Sequence, residues 1–145
     1  MTADTLFQIS GSIAGLGWII LLLASPFWHR FDRFLIGVVI TLLCLVYAWL
    51  IGQSFSPSDF SSFGSLDGVM KLFDNKILVA AGWVHYLAFD LLSGIWIKKN
   101  SFKYGISHWI MIPCFLLVFM MGPAGLLLYL LIRGIYAREY FAENY

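Results

Sequence analysis

Two residues able to exchange protons, His85 and Asp90, lie inside an otherwise apolar run from Ile77 to Ile97. That run is long enough to cross a bilayer, which needs about 20 residues. An ionisable side chain near the middle of the hydrocarbon costs at least ~2.5 kcal/mol, so it normally faces the protein interior. The sequence therefore predicts a membrane protein with a buried polar site. Asp90 would either take part in the function of that site or hold neighbouring helices together through hydrogen bonds.

The geometry of a helix limits how these two side chains can cooperate. A five-residue step turns ~140° around the axis, so His85 and Asp90 cannot pair directly on a regular helix. They can flank the same inward edge, each meeting a different neighbouring helix. With a rise of 1.5 Å per residue, Asp90 lies ~12 Å and His85 ~20 Å from Lys98, at the end of the run.

The next apolar run returns from that same end and brings further polar groups. His108 enters early, where it either lies at the interface or reaches toward Asp90. Pro113 lacks an amide hydrogen, so it should free the carbonyl of Trp109 as a partner for Asp90 or an imidazole. The segment MGPAG, residues 121–125, predicts a second break, which is tolerated at membrane depth where backbone lines a cavity.

The candidate catalytic residues are therefore His85, Asp90 and His108. Large or rigid side chains on the same faces and on the next run are the candidate walls of a ligand pocket: Trp83, Tyr86, Phe89 and Pro113. For the first two, packing against neighbouring helices is the more common role. Among the three histidines and Asp90, no two residues have the i, i+3 or i, i+4 spacing of a helical metal site. The sequence thus predicts acid–base chemistry without a metal or other cofactor.

The composition places these residues in a membrane protein. Of 145 residues, 61% are hydrophobic and 12% are charged, whereas about 25% are charged in a soluble domain. The net charge is +1. Basic clusters large enough for a polyanion are absent, so nucleic acid is not an expected partner.

The expected fold class is an all-α membrane protein, with four transmembrane helices in one bundle and the whole chain forming one domain. A polar loop at 54–74 should contain a short interfacial helix between the second and third spans, because its apolar residues mostly share one helical face. A polar tail follows at 133–145. The four spans are predicted at about residues 6–25, 34–53, 75–97 and 106–132.

Two further expectations concern orientation and association. Four crossings would put five basic residues on one side and four on the other, which weakly favours both termini outside. Gly11 and Gly15 stand four residues apart, and small residues at that spacing let another helix approach closely. They serve ordinary packing or the contact of a homo-oligomer or partner membrane protein.

A family resemblance appears at WVHYLAFDLLSG and GISHWIMIPCFLLVFMMGPAGLLLYL. These segments resemble the neoxanthin-synthase-like (abscisic-acid-deficient-four-like) family of small integral membrane proteins, from about Phe60 through Leu131 and loosely over the first two spans. Its most specific parts are three: the pattern formed by Trp83, His85 and Asp90, the element around His108, and the turn at Pro123 and Gly125. The loop and surface helix are similar to bacterial-type members, which implies a multi-pass protein of the bacterial inner membrane.

The resemblance implies a reaction type. Plant members are implicated in converting violaxanthin to neoxanthin, an isomerisation that needs an acid at an epoxide oxygen and a base at carbon. A protonated Asp90 would be the acid and a neutral His85 the base, because desolvation disfavours their charged forms. The leading hypothesis is an isomerase of a carotenoid or similar lipid. The alternatives are a module that binds an apolar ligand and a structural partner of another membrane protein.

Overall fold

A computed structural model describes residues 2–28 and 30–138, and this part of the chain is helical without strands. By length and composition four of its helices could cross a membrane, which confirms the predicted all-α class with four long apolar helices. They are α1 (Ala3–Ala24), α2 (Arg30–Ser54), α4 (Lys76–Lys103) and α5 (His108–Ala137), with α3 (Leu66–Leu72) between the second and third. His29 and residues 139–145 of the predicted tail lie outside the described residues.

The polar segment between α2 and α4 is ordered by its own side chains. A 3₁₀ helix spans Pro57–Gly64, where Ser56 and Asp59 form a capping box. Ser65 then accepts a hydrogen bond from the amide of Gly68 and so begins α3. The expected short helix is thus present, and its location at the membrane surface stays a prediction.

The central element is α4, which packs against α1, α2 and α5. Small residues make these contacts close. A Cβ atom at Gly94 would lie 2.7 Å from the Trp18 ring, and one at Gly17 would lie 2.8 Å from Leu91. By contrast, a Cβ atom at Gly11 or at Gly15 would meet no other part of the described chain within 4 Å. The helix contact expected at these two glycines therefore does not occur within that part of the chain.

The backbone of α5 breaks at Met121 (φ −147°, ψ 42°) and Gly122 (φ 7°, ψ −78°), inside the segment where a break was predicted. After the break the chain reverses, because a Cβ at Gly125 would lie 2.6 Å from the carbonyl oxygen of Cys114. In a straight helix those two residues would be ~16 Å apart. The two halves of α5, residues 112–120 and 123–137, therefore lie side by side as a helical hairpin.

The first proline of this region does not act as the sequence suggested. Pro113 lies in the first turn of the regular part of α5, where a missing amide hydrogen costs nothing. The carbonyl of Trp109 accepts a hydrogen bond from the amide of Ile112. The expectation of a free Trp109 carbonyl was therefore wrong.

Candidate functional site

Asp90 lies where α4 meets the tip of the α5 hairpin. Its side chain is 8% exposed, and a Cβ at Gly122 would overlap its Oδ1 atom. The Oδ2 atom is buried and has no hydrogen-bond partner among the described residues. Burying such an atom costs free energy. The close contact between Asp90 and the hairpin tip therefore has a cost that the rest of the fold must offset.

A tyrosine on the same helix joins Asp90 to the hairpin. The hydroxyl of Tyr86 neighbours the Asp90 carboxyl and donates a hydrogen bond of 3.0 Å to the carbonyl oxygen of Phe119. In a continuous helix that carbonyl would accept from residue 123, which is a proline without an amide hydrogen. The sequence predicted a freed backbone carbonyl four residues before Pro113. The structure has it instead at Phe119, four residues before Pro123.

His85 faces a different space from Asp90 and is exposed, so the prediction of burial holds for Asp90 but was wrong for His85. Its ring stacks on Phe89 at 4.6 Å between centroids and lies 5.6 Å from the ring of Tyr47. It contributes to the wall of a cavity of about 470 Å³ between α2, α4 and the 55–73 segment. We call this the aromatic cavity, and ten residues line it: Tyr47, Ile51, Phe55, Phe60, Phe63, Leu72, Phe73, Leu78, Gly82 and His85.

The residues expected to form pocket walls lie elsewhere on α4 and α5. Trp83 is partly exposed and stacks between Phe7 of α1 and Tyr86. Phe89 is exposed behind His85, and Pro113 is exposed on α5. None of the four predicted wall residues, Tyr86 included, lines the aromatic cavity, which is formed instead by side chains of the polar segment and α2.

His108 lies at the end of the bundle where α5 begins. Its Nε2 atom is 3.1 Å from the carbonyl oxygen of Leu22, and its ring contacts Phe115. A carbonyl oxygen can only accept, so Nε2 carries the proton. The structure therefore joins His108 to α1 and places His85, Asp90 and His108 in three separate surroundings.

An ion pair that sequence reasoning missed lies at the same end. The Nζ of Lys98 is 2.7 Å from Oδ1 of Asp32 and 2.9 Å from the carbonyl oxygen of Ser25. The Ser25 hydroxyl also donates to Asp32 at 2.7 Å, and all three residues are buried. The sequence did contain a signal for this pair. Asp32 is an acidic residue between two arginines in a short loop, and Lys98 lies at the end of a span on the same side.

A second missed cluster depends on the reversal of α5. Tyr129 and Arg133 both donate to the side-chain oxygen of Asn100, Arg133 at 2.9 Å. The guanidinium of Arg133 also lies 5.6 Å from the ring centre of Tyr104. A straight α5 would put Arg133 at the far end of the bundle, so no sequence pattern pointed to this contact.

The arrangement offers proton-exchanging groups and an apolar cavity. No three His, Cys, Asp or Glu side chains within residues 2–28 and 30–138 are grouped so that they could hold a metal ion. His85 and Tyr47 are the titratable side chains in the wall of the aromatic cavity, whereas Asp90 and Tyr86 contact the hairpin tip. The cavity can hold an apolar molecule with two proton-exchanging groups beside it.

The fold and the buried polar groups define a multi-pass helical membrane protein. Residues 5–129 match the model of the family described as ABA DEFICIENT 4-like, and the chain belongs to that family. The match confirms the resemblance seen in the sequence. Comparison with curated proteins and with solved structures gives no match.

Proposed function

We propose that this protein binds an apolar, ring-bearing molecule of the carotenoid class in the aromatic cavity, with His85 as the polar side chain that meets it. The observation that carries the proposal is the opening of His85 onto a cavity with otherwise mainly apolar walls. Pockets for small ligands have volumes of roughly 300–1,000 Å³ and few, well-placed polar groups. The aromatic cavity, at about 470 Å³, has that size and that character.

The walls suit a flat or cyclic ligand better than a saturated lipid chain. Phe55 packs edge-on against Phe60 at 5.1 Å and lies 5.9 Å from Phe63, and Phe73 approaches Gly82 across the cavity. Aromatic rings in such arrangements gain about 0.5–1.5 kcal/mol beyond simple burial when they contact another π system. A conjugated molecule or its ring end group therefore gains more here than an acyl chain.

The experiment tests whether the cavity holds the ligand. Protein extracted in mild detergent is examined by absorbance and by mass spectrometry of the apolar molecules that co-purify, and is then titrated with violaxanthin. Gly82→Leu fills the cavity, since even a Cβ there would lie 3.1 Å from Phe73. Gly11→Leu is the matched control on an open helix face. We expect Gly82→Leu to lose the ligand and Gly11→Leu to retain it; equal retention in both folded variants contradicts the proposal.

A second candidate, an acid–base isomerase acting in the same cavity, is favoured by one observation. Two side chains in the cavity wall carry exchangeable protons, His85 and Tyr47, and their rings lie 5.6 Å apart. An isomerase here would use the imidazole of His85 as its base, to take the proton from carbon, and the hydroxyl of Tyr47 as its acid, to give a proton to the epoxide oxygen. Transfer of the proton from His85 to Tyr47 would then restore both groups. Asp90, expected as the acid, would instead act by holding the hairpin against α4, and His108 by joining α5 to α1.

Turnover separates the two candidates. An isomerase should lose turnover in His85→Phe while the variant still binds violaxanthin, because the phenyl ring keeps the stacking but carries no proton. Liquid chromatography of the carotenoid after incubation measures conversion, and absorbance measures binding. Binding without conversion by the unsubstituted protein supports the binding module. Conversion that survives in His85→Phe contradicts the assignment of His85 as the base.

A further inference from the structure

A large cavity lies at the end of the bundle where the α1–α2 loop meets the α4–α5 loop. Its volume is about 760 Å³, and three of its lining residues are basic, Arg33, Lys98 and Lys99. The acidic residue in its wall is Asp32, whose carboxylate already accepts from Lys98 and Ser25. The exposed side chains of Arg33 and Lys99 therefore leave this basic cavity with a positive potential.

The rim of the basic cavity is apolar and exposed. Phe27, Phe102 and Trp109 are 79%, 71% and 62% exposed, and each comes from a different part of the chain. Aromatic side chains beside basic residues are typical of the level where lipid headgroups meet acyl chains. A ligand that satisfies both parts has an anionic head and an apolar body.

We propose that the basic cavity binds the phosphate headgroup of an anionic membrane lipid, with Arg33 and Lys99 contacting the phosphate. Guanidinium and ammonium groups both bind phosphate oxygens through charge-assisted hydrogen bonds. The acyl chains then lie along the Phe27, Phe102 and Trp109 rim. This site is separate from the aromatic cavity, so the proposal stands without the proposed function.

Native mass spectrometry of the purified protein with phosphatidylglycerol or phosphatidylcholine tests the site. We expect selective binding of phosphatidylglycerol, and a roughly thirtyfold loss of its affinity in the double variant Arg33→Gln, Lys99→Gln, because two basic contacts are removed. The control Lys71→Gln, Lys76→Gln removes two charges outside the cavity. Thermal denaturation confirms that both variants fold.

The outcomes separate the lipid from its phosphate. Equal binding of both phospholipids, or an equal loss in the control variant, overturns the proposal. Inorganic phosphate and glycerol phosphate are added as competitors. If either binds as tightly as phosphatidylglycerol, the acyl chains contribute nothing, and the lipid assignment is wrong.

A different observation, the reversal of α5, carries an inference about orientation. Arg133, near the end of α5, contacts Asn100 and Tyr104 at the end of α4. The part of α4 from Asp90 to Asn100 measures ~15 Å, and the returning half of α5 from Gly122 to Arg133 measures ~16 Å. Both lengths are about half the thickness of the hydrocarbon layer. The hairpin tip therefore reaches the midplane and returns to the end from which it came.

The reversal changes the distribution of charge between the two ends of the bundle. One end now has seven of the nine basic residues: Arg30, Arg33, Lys98, Lys99, Lys103, Arg133 and Arg138. The other end has Lys71 and Lys76. Short segments rich in Lys and Arg remain on the cytoplasmic side. With α5 running straight through, the same count would be five against four.

We infer that the chain crosses the membrane three times, with Ala3 outside and the α5 hairpin entering and leaving on the cytoplasmic side. Fusions of green fluorescent protein or alkaline phosphatase after Tyr145, and of the same reporters within the 57–64 segment, test this orientation. We expect fluorescence without phosphatase activity after Tyr145, and phosphatase activity without fluorescence in the 57–64 segment. Reporters that place both positions on one side overturn the hairpin topology.

An independent measurement avoids the bulk of the fused reporters. In a Cys44→Ala, Cys114→Ala background, Tyr136→Cys and Lys71→Cys are labelled in intact cells with a membrane-impermeant maleimide. We expect labelling of Lys71→Cys alone, and of both after the cells are opened. Labelling of both positions in intact cells contradicts the inference.

Discussion

The hydroxyl of Tyr86 donates to the carbonyl oxygen of Phe119 at 3.0 Å, replacing the amide hydrogen that Pro123 lacks. This contact joins the middle of α4 to the tip of the α5 hairpin, beside the buried carboxyl of Asp90. Backbone that leaves a helix at membrane depth must find its hydrogen bonds within the protein. The break in α5 and the polar face of α4 are therefore two parts of one structure.

Tyr86→Phe removes the donor and keeps the ring. The unpaired Phe119 carbonyl should lower the free energy of unfolding by about 1–3 kcal/mol, seen as a lower melting temperature in detergent. Tyr136→Phe makes the same chemical change on an exposed part of α5 and should have little effect. Equal melting temperatures for the two variants would mean that the hydrogen bond does not support the hairpin.

Gly125→Ala tests the packing between the halves of the hairpin. The added Cβ would lie 2.6 Å from the Cys114 carbonyl and overlap the amide nitrogen of Val118, both backbone atoms that cannot rotate away. Overpacking of this kind costs about 1–3 kcal/mol, measured by thermal or denaturant unfolding. Gly11→Ala, on an open helix face, should be neutral or stabilising, because alanine is the better helix former. A neutral Gly125→Ala would show that the two halves do not pack as described.

The buried ion pair gives a third prediction. Lys98→Met leaves the Asp32 carboxylate buried with Ser25 as its one remaining donor among the described residues, which should cost about 3–5 kcal/mol. Adding Asp32→Asn should recover part of that loss in the melting temperature. The exposed pair Lys76–Asp4, also at 2.7 Å, is the comparison, and Lys76→Met should change stability little because water screens that pair. Similar losses from Lys98→Met and Lys76→Met would contradict the importance of burial.

Two substitutions of Asp90 distinguish a structural role for this residue from a chemical one. Asp90→Asn has nearly the same shape, so it should preserve the melting temperature and violaxanthin binding. Asp90→Leu is larger and would press on Gly122, so it should destabilise the protein by about 1–3 kcal/mol. If Asp90→Asn keeps its fold and ligand but abolishes conversion, Asp90 takes part in the chemistry rather than in positioning the hairpin.

The general class of the protein was evident from its sequence. Runs of apolar residues such as Ile77–Ile97 predict membrane helices, because helix length and bilayer thickness are both set by backbone geometry. The segment around Trp83, His85 and Asp90 carried the family resemblance, and residues 121–125 predicted a broken helix. The rules behind these inferences are local, so they could be read along the chain.

The contacts of the site could not be read in that way. A proline and a glycine indicate that a helix is interrupted, but the angle between its halves depends on which surfaces then pack. Here the reversal allows Gly125 to lie against Cys114 and Arg133 to bind Asn100. The sequence left open whether His108 reaches Asp90, and in the structure its ring contacts the carbonyl oxygen of Leu22 instead.

Local sequence therefore establishes that these polar groups belong to apolar helices, since a long hydrophobic run must lie in lipid or protein. Which groups meet is a property of the folded chain. His85 opens onto a cavity built by residues 47–78, and Asp90 faces a hairpin tip more than 30 positions later in the chain. Such contacts arise from the packing of whole helices, where total burial and hydrogen bonding select one arrangement among many that satisfy the same local pattern.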